Sequence, residues 1–184
     1  MAAFPGGAQG KAIHLFANQS ISDLSLYGIG VANNGGGSDG QEYTFPSIGA
    51  SSGQHILLAR DTTAMQIYLS SCYNQFDIAL LANTSISHNG DDAIELFYDG
   101  SVIETFGDVN VDGTGQPWEY LDSWAYKDSL GSWTYGGVNC TDGSTTTQSS
   151  NCPYPICSGL TQISTYNVTL KVNTANITVG ANGM

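Results

Sequence analysis

Short runs of alternating apolar residues, separated by clusters of Gly, Asn, Ser and Asp, constrain the fold of this chain most strongly. The clearest pair is Ala93–Tyr98 and Ser101–Phe106, joined by Asp99–Gly100. Asp-Gly between two such runs is typical of a two-residue β-hairpin turn, because its backbone twist matches that of the flanking strands. Since alternate residues of a strand face opposite sides of the sheet, we expect Glu95 to point to solvent.

Further runs of this kind are spread evenly along the chain. Many short strands with turns at intervals of about 8–12 residues predict an all-β fold, an antiparallel β-sandwich. No window sustains an apolar period of 3.6 residues, so we expect very little helix. The other predicted strands are Lys11–Phe16, Leu24–Val31, Glu42–Phe45, His55–Ala59, Met65–Leu69 and Phe76–Leu81.

The charge balance restricts the classes of partner. The 184 residues include 16 acidic and only 4 basic side chains, for a formal net charge of −12. A nucleic-acid backbone would be repelled, and an anionic membrane surface is disfavoured for the same reason. No apolar run reaches the length of about 18 residues that a spanning helix needs, so we predict no membrane insertion. Divalent cations and neutral partners such as glycans or surface proteins remain.

The composition also predicts a compartment. A chain that is poor in Lys and rich in Gly, Ser, Thr and Asn is typical of a secreted or cell-surface protein. Residues 1–7 lack the charged and apolar regions of a signal peptide, so we expect that any leader has been removed.

Residues 108–119 have the ligand spacing of a calcium-binding loop. Acidic or amide side chains stand at the first, third and fifth positions, glycine at the sixth and glutamate at the twelfth. This spacing suits Ca²⁺, which takes six to eight oxygens at roughly 2.3–2.6 Å. The preceding run is strand-like, so the loop is no ordinary EF-hand, and we predict a structural Ca²⁺. The alternative is a metal-free turn, since turns favour the same residues. The predicted ligands are Asp108, Asn110, Asp112, Thr114 and Glu119.

Aromatic residues are concentrated directly after this loop. In an extended strand, Trp118, Tyr120, Trp124 and Tyr126 would share one face. An exposed row of such rings would form a platform for the rings of a glycan. The alternative is core packing, because Trp and Tyr are favoured in strands and contribute heavily to protein cores.

The four cysteines predict disulfides and an oxidising compartment. Four cysteines allow three pairings, and we expect one bridge within residues 140–157, a segment with little core of its own. A zinc site is the competing interpretation, but no Cys-x-x-Cys pair or nearby histidine supports it. The cysteines are Cys72, Cys140, Cys152 and Cys157.

Signals for catalysis are weak. The only histidines are His14, His55 and His88, and no nucleophile or metalloprotease motif surrounds them. Asp91 and Asp92 with Glu95 could act as paired carboxylates, but the position of Asp92 and Glu95 at the start of a strand favours a turn followed by an outward-facing glutamate. A hydrolase of glycans, esters or nucleic acids remains the alternative function. An exposed cleft with an acid of perturbed pKa, or His55 and His88 brought together, would support it.

The C-terminal residues form a separate pattern. Apolar residues alternate over 166–172, which predicts a half-buried strand that could pair with the exposed edge of another chain. Residues 166–179 also resemble the opening strand of a starch-binding-like module. A subunit that assembles by strand exchange is therefore a third hypothesis. The predicted divisions are a disordered segment 1–10, a β-sandwich 11–136, a Cys-rich extension 137–160 and a strand segment 161–184, which could begin a truncated module.

Three stretches together resemble the lamin-tail domain as it occurs in secreted bacterial proteins. The resemblance extends over residues 10–132 and is carried by residues 42–46, 89–97 and 107–126. It implies an immunoglobulin-like β-sandwich in a surface or secreted protein of the kind found in Bacteroidota. It implies no particular reaction, because such domains accompany enzymes and adhesins as accessory modules. The acidic loop and the Cys-containing segment after residue 133 are similar to features of the same subgroup.

These observations lead to one expectation of function. We predict a secreted, non-catalytic binding or adhesion module that is stabilised by calcium and belongs to a larger extracellular protein.

Overall fold

The computed structural model describes residues 10–158 and the backbone of Ala2–Ala3. The predicted disordered segment 1–10 contains a short strand at Ala2–Ala3, and the predicted strand over 166–172 lies outside the described residues. The strands are β1 (Ala2–Ala3), β2 (Lys11–Phe16), β3 (Tyr27–Ala32), β4 (Tyr43–Thr44), β5 (His55–Ala59), β6 (Ile78–Leu81), β7 (Ala93–Tyr98), β8 (Ser101–Phe106), β9 (Ala125–Lys127) and β10 (Trp133–Tyr135); the α-helices are α1 (Thr62–Leu69) and α2 (Pro155–Ser158).

The strands form two four-stranded sheets and one two-stranded sheet. The first sheet has the order β1-β2-β5-β6, the second has the order β4-β3-β7-β8, and β9 pairs with β10. Among these pairs, β5–β6 is parallel and the others are antiparallel. The all-β fold that the strand pattern predicted is therefore confirmed.

The predicted hairpin is present at its predicted residues. Strands β7 and β8 pair with Tyr98 opposite Ser101, and the turn residues Asp99 and Gly100 have φ of 48° and 73°. The outward orientation predicted for Glu95 is wrong, because its side chain is only 5 % exposed and accepts a hydrogen bond from Ser38 Oγ.

A loop that crosses the second sheet explains this burial. Gly30 lies opposite Glu95 in the β3–β7 register, and a Cβ atom at Gly30 would lie 2.3 Å from the carbonyl oxygen of Gly40. The chain around Gly40 therefore passes directly over the face of the sheet that Glu95 shares.

One predicted strand is a helix. Residues 65–69 belong to α1, which connects the parallel strands β5 and β6, and a parallel pair needs such a crossover. Asp61 caps the helix by accepting from the backbone N–H of Thr63 at 2.9 Å and of Ala64 at 3.0 Å. Buried Met65 and Leu69 are four residues apart on one helical face, whereas Ile67 is exposed. Residues four apart also share one face of a strand, so over five residues the apolar spacing does not distinguish a strand from a helix.

The apolar core has a large cluster on each face of the first sheet. Ile13 and Leu58 of that sheet pack with Ile29 and Ile94 of the second sheet in one cluster. On the opposite face, other residues of β2 and β5 pack against α1, α2 and the segment between β8 and β10. The second cluster is formed by Ala12, Leu57, Ala59, Met65, Tyr68, Leu69, Cys72, Phe76, Trp124, Tyr154 and Cys157.

Two disulfides account for all four cysteines. Cys140 pairs with Cys152, which confirms the bridge expected within residues 140–157, and Cys72 pairs with Cys157 across 85 residues. The alternative of a zinc site formed by the cysteines is therefore wrong. The second bridge is buried in the cluster below α1 and joins α2 to the 3₁₀ turn Ser70–Gln75. Neither helix of residues 10–158 is long and apolar enough to cross a membrane.

Candidate functional site

The first half of the predicted calcium loop is held by local hydrogen bonds. The carboxylate of Asp108 accepts from the backbone N–H of Asn110 at 2.9 Å. The carbonyl of Val109 accepts from the N–H of Gly37 at 2.8 Å, which ties this half to the loop after β3. Asp108 and Asn110 thus stabilise a turn next to Gly37.

The second half brings carboxylates together around two consecutive residues. Asp112 accepts from the N–H of Thr114 at 2.9 Å, and Glu119 accepts from the N–H of Gly115 at 2.7 Å. The hydroxyl of Thr114 donates to Asp91 at 3.1 Å. The hydrogen bond from the Thr114 backbone, followed by that from its side chain, lowers the pKa of Asp112 and so favours its ionised form. Three carboxylates therefore accept hydrogen bonds from Thr114 and Gly115.

Asp91 is a member of this group that the sequence pattern did not include. Its carbonyl accepts from the N–H of Gly113 at 2.8 Å, so the backbone places residue 91 beside the loop. Its Oδ1 atom is buried and has no hydrogen-bond partner within the described part of the chain. The only sequence signal for this position was the acidic pair Asp91–Asp92 before β7, which had suggested catalysis and no metal site.

The loop provides a partial fit to a metal ion. The five predicted ligands are divided between two sets of hydrogen bonds, one next to Gly37 and one at Thr114–Gly115. Over residues 10–158, no group of three or more His, Cys, Asp or Glu side chains is arranged to hold a metal ion. The buried, unpaired Oδ1 atom of Asp91 is the feature that a cation would satisfy.

The predicted row of exposed aromatic residues is not formed. Tyr120 and Trp124 are only 0 % and 9 % exposed, and Trp118 and Tyr126 are half-buried. Asp122 has a φ of 42°, so the backbone turns between Tyr120 and Trp124, and a regular strand begins only at Ala125. The alternation needed for a shared face is therefore interrupted, and Tyr120 and Trp124 cannot offer a ring face to a glycan.

These aromatic side chains stabilise the core and the loops instead. Tyr120 packs edge-on against Phe106 with ring centroids 5.3 Å apart, and its hydroxyl donates to the carbonyl of Asp92 at 3.3 Å. The indole N–H of Trp124 donates to the carbonyl of Cys152 at 2.8 Å. Tyr120 and Trp124 therefore pack in the core, which was the alternative to an exposed glycan platform.

Asp92 connects two loops through backbone hydrogen bonds. Its two oxygens accept from the N–H of Asn34 at 2.8 Å and of Asn89 at 2.9 Å. Burial raises the pKa of Asp92, and these two hydrogen bonds oppose that effect. Because both oxygens are used in this way, Asp92 has the contacts of a structural anchor and is not paired with Glu95 across a cleft.

The histidines are arranged differently from the hydrolase hypothesis. His88 is fully buried, 6.3 Å from the ring of Tyr120. His55 lies next to His14, with 2.8 Å between Nδ1 of His55 and Nε2 of His14. Nδ1 of His14 lies 2.8 Å from the hydroxyl of Tyr154. His55 therefore lies within hydrogen-bonding distance of His14, a pair that was not predicted from the sequence.

Strand register explains this pair. His14 stands opposite Leu57, and His55 stands opposite Phe16, so the two histidines are diagonal neighbours on one face of the β2–β5 ladder. Burial is the main cause that lowers the pKa of His14 from 6.5 to about 3. His14 is therefore neutral at physiological pH.

Comparison of the chain with models of protein families, with curated proteins and with solved structures found no match. Two local arrangements of side chains therefore remain as indications of function: the carboxylates around Thr114–Gly115 and the pair of histidines, His14 and His55.

Proposed function

We propose that this chain is a secreted, non-catalytic binding or adhesion module, built as an immunoglobulin-like β-sandwich of the lamin-tail type and stabilised by calcium. One observation carries the calcium proposal. Asp91, Asp112 and Glu119 all contact Thr114–Gly115, and the Oδ1 atom of Asp91 is buried without a hydrogen bond from the described residues.

The residues that would hold the ion are Asp91, Asp112, Thr114 and Glu119. All four offer oxygen, the donor type that Ca²⁺ prefers. A buried polar atom without a partner costs about 1–3 kcal/mol, which a cation next to Asp91 would offset. The ion would also neutralise part of the repulsion among carboxylates in a chain of net charge −12.

The sandwich and the secreted location are supported by general features of the fold. Residues of both four-stranded sheets share one apolar cluster, as expected for two sheets packed face to face. Two disulfides favour an oxidising compartment, because cytosolic thiols are kept reduced.

The exposed edge of the second sheet favours a protein partner over a glycan. Strand β8 is at one end of the sheet order, and its residues Val102 and Ile103 are exposed. An edge strand has unpaired backbone groups to which an extended segment of another protein can add as a strand. Burial of Tyr120 and Trp124 removes the ring platform that a glycan would need. The module would hold a surface protein in this way as an accessory part of a larger extracellular protein.

Thermal unfolding with and without calcium tests the metal. At about 100 times Kd, a ligand that binds only the folded state stabilises it by roughly 2.7 kcal/mol, so we expect the Tm to rise by several degrees. Asp91→Asn should abolish this rise, because it removes the charge of the buried carboxylate. The matched control is Asp128→Asn, since Asp128 also accepts backbone hydrogen bonds in a turn, from Leu130 and Ser132, but lies outside the loop.

Bound calcium should be counted on the same samples, with about one ion per unaltered chain. An equal rise in Tm for the unaltered chain and Asp91→Asn would remove Asp91 from the site. Absence of bound calcium in the unaltered chain would show that the loop is a metal-free turn.

A further inference from the structure

The described residues cover only part of the outer face of the first sheet. Helices α1 and α2 and the Cys72–Cys157 bridge pack over the end of this face that carries Ala12 and Leu57. At the other end of the same face, His14 and His55 are half-buried and Phe16 is 55 % exposed. The two imidazoles therefore lie at the boundary between the covered face and solvent.

Aromatic neighbours hold both imidazole rings in place. The ring of Phe76 meets His14 edge-on with centroids 5.1 Å apart, and Tyr126 lies 6.4 Å from His14. Phe16 lies 5.0 Å from His55. With the rings held in this way, the nitrogen atoms Nε2 of His14 and Nδ1 of His55 face each other at 2.8 Å.

We propose that His14 and His55 form a binding site for a divalent transition-metal cation of the Zn²⁺, Cu²⁺ or Ni²⁺ class, with water completing its coordination. Imidazole nitrogen is a preferred ligand of these ions. The ion would replace the proton that the two nitrogens share. With Zn–N bonds of about 2.0–2.1 Å, a tetrahedral ion places two nitrogens roughly 3.3 Å apart, so the rings need to separate by about half an ångström.

The second nitrogen of His14 already has the partner that a metal ligand requires. A ligating imidazole donates its other N–H to an acceptor, which fixes the tautomer and the orientation of the ring. The hydroxyl oxygen of Tyr154 occupies that position at 2.8 Å from Nδ1.

The charge at this end of the sheet also suits a cation. The carboxylate of Asp77 accepts from the backbone N–H of His55 at 2.8 Å and places a negative charge beside the pair. The pair is chemically distinct from the loop at Thr114–Gly115, where every donor is an oxygen and a hard cation is preferred.

The test is a calorimetric titration of the full chain with ZnCl₂ in excess Ca²⁺, which occupies any oxygen site that binds calcium. We expect one Zn²⁺ per chain. His55→Gln should lower the affinity at least tenfold, because it leaves one imidazole in the site. Asp128→Asn is the control, since Asp128 accepts backbone hydrogen bonds in a turn outside both candidate sites, and it should leave the Zn²⁺ affinity unchanged.

Imidazole ¹⁵N chemical shifts locate the ion directly, since the chain has only three histidines. We expect Zn²⁺ to change the ¹⁵N chemical shifts of Nε2 of His14 and Nδ1 of His55. The chemical shifts of both nitrogens of His88 should not change. This measurement uses the unaltered chain, so it decides the question even if a histidine variant fails to fold. Unchanged shifts of His14 and His55 at saturating Zn²⁺, or unchanged affinity in folded His55→Gln, would overturn the proposal. Either result leaves the calcium test unaffected.

Discussion

At Gly113, one missing side chain allows loop 108–119 to lie against the start of β7. A Cβ atom at this residue would lie 2.5 Å from the carbonyl oxygen of Asp91 and 2.5 Å from ring atoms of Trp118. The glycine that completes the calcium-loop pattern is therefore required for close approach. Its contact with Asp91 also brings the fourth oxygen-bearing residue to the proposed site.

Gly113→Ala should lower the free energy of unfolding by about 1–3 kcal/mol, because the added methyl group must displace backbone or a packed indole ring. Gly36→Ala is the control, since its Cβ atom would meet only the carbonyl of Asn33 at 3.1 Å and its φ of −75° suits any residue. Urea unfolding of both variants measures the difference. Equal losses would show that the close approach at Gly113 is not the cause.

The stability contributed by neutral His14 should depend on pH. Its pKa in the folded chain, about 3, is below 6.5, so the unfolded chain takes up the proton first as the pH falls. This contribution is fully present above about pH 6.5 and is lost as the pH falls toward 3, with a slope of at most about 1.4 kcal/mol per pH unit.

Urea unfolding between pH 7 and pH 5 checks this slope, because the carboxyl groups of the unfolded chain remain largely ionised there. The unaltered chain should lose stability relative to His14→Gln as the pH falls. The difference between the two stability curves reports on His14 alone. It removes the contribution of the buried carboxyl of Asp92, whose raised pKa changes the stability with pH in the opposite direction. Parallel curves for the two proteins would contradict the prediction.

At the scale of elements, the chain uses disulfides where secondary structure is sparse. Helix α2 has four residues, and Cys157 within it is held to the 3₁₀ turn before β6. Cys140–Cys152 closes a short segment that contains one 3₁₀ turn, Thr147–Ser149. The two bridges close loops of very different length, so their contributions to stability should differ.

Replacing Cys72 and Cys157 together by Ala should destabilise the chain more than replacing Cys140 and Cys152. Loop-closure entropy gives about 4.6 kcal/mol for the long loop and about 2.9 kcal/mol for the short one. The first pair is also fully buried, so its removal adds a packing loss. Urea unfolding of the two double variants measures both values. A larger loss at the short loop would contradict this ordering.

At the scale of the whole molecule, part of edge strand β8 is left exposed by the residues that the structure describes. Near its end, the carboxylate of Glu104 is paired with Lys127 at 2.8 Å, and Phe106 packs against Trp133. Near its start, Val102 and Ile103 have no such cover, since both are exposed. The free part of the edge can therefore accept a strand from a partner or from a second copy.

If residues 166–172 of one copy add to β8 of another, the chain should associate at high concentration. Ile103→Lys should abolish this association, because charged residues block edge pairing, and should change stability by less than about 0.5 kcal/mol. Sedimentation velocity over a range of concentrations measures the association. Leu130→Lys is the control, since Leu130 is 89 % exposed and lies outside β8. Association that survives Ile103→Lys would exclude this edge.

The sequence by itself determined features that depend on neighbouring residues. Alternating apolar residues and the Asp-Gly turn predicted the β7–β8 hairpin, and alternation also predicted strands β2 and β5. The short separation of its cysteines predicted the bridge within residues 140–157. Helix α1 was missed because five residues fit both periods. Its capping residue, Asp61, was the local signal that favoured a helix.

Only the tertiary structure decided which distant residues meet. Asp91 and Thr114 are 23 residues apart, and His14 and His55 are 41 apart. Such contacts depend on strand register and on loops that cross the sheets, and neither is encoded in local spacing. The burial of Glu95 and Tyr120 has the same origin, because a side chain is buried only when a remote segment packs over it.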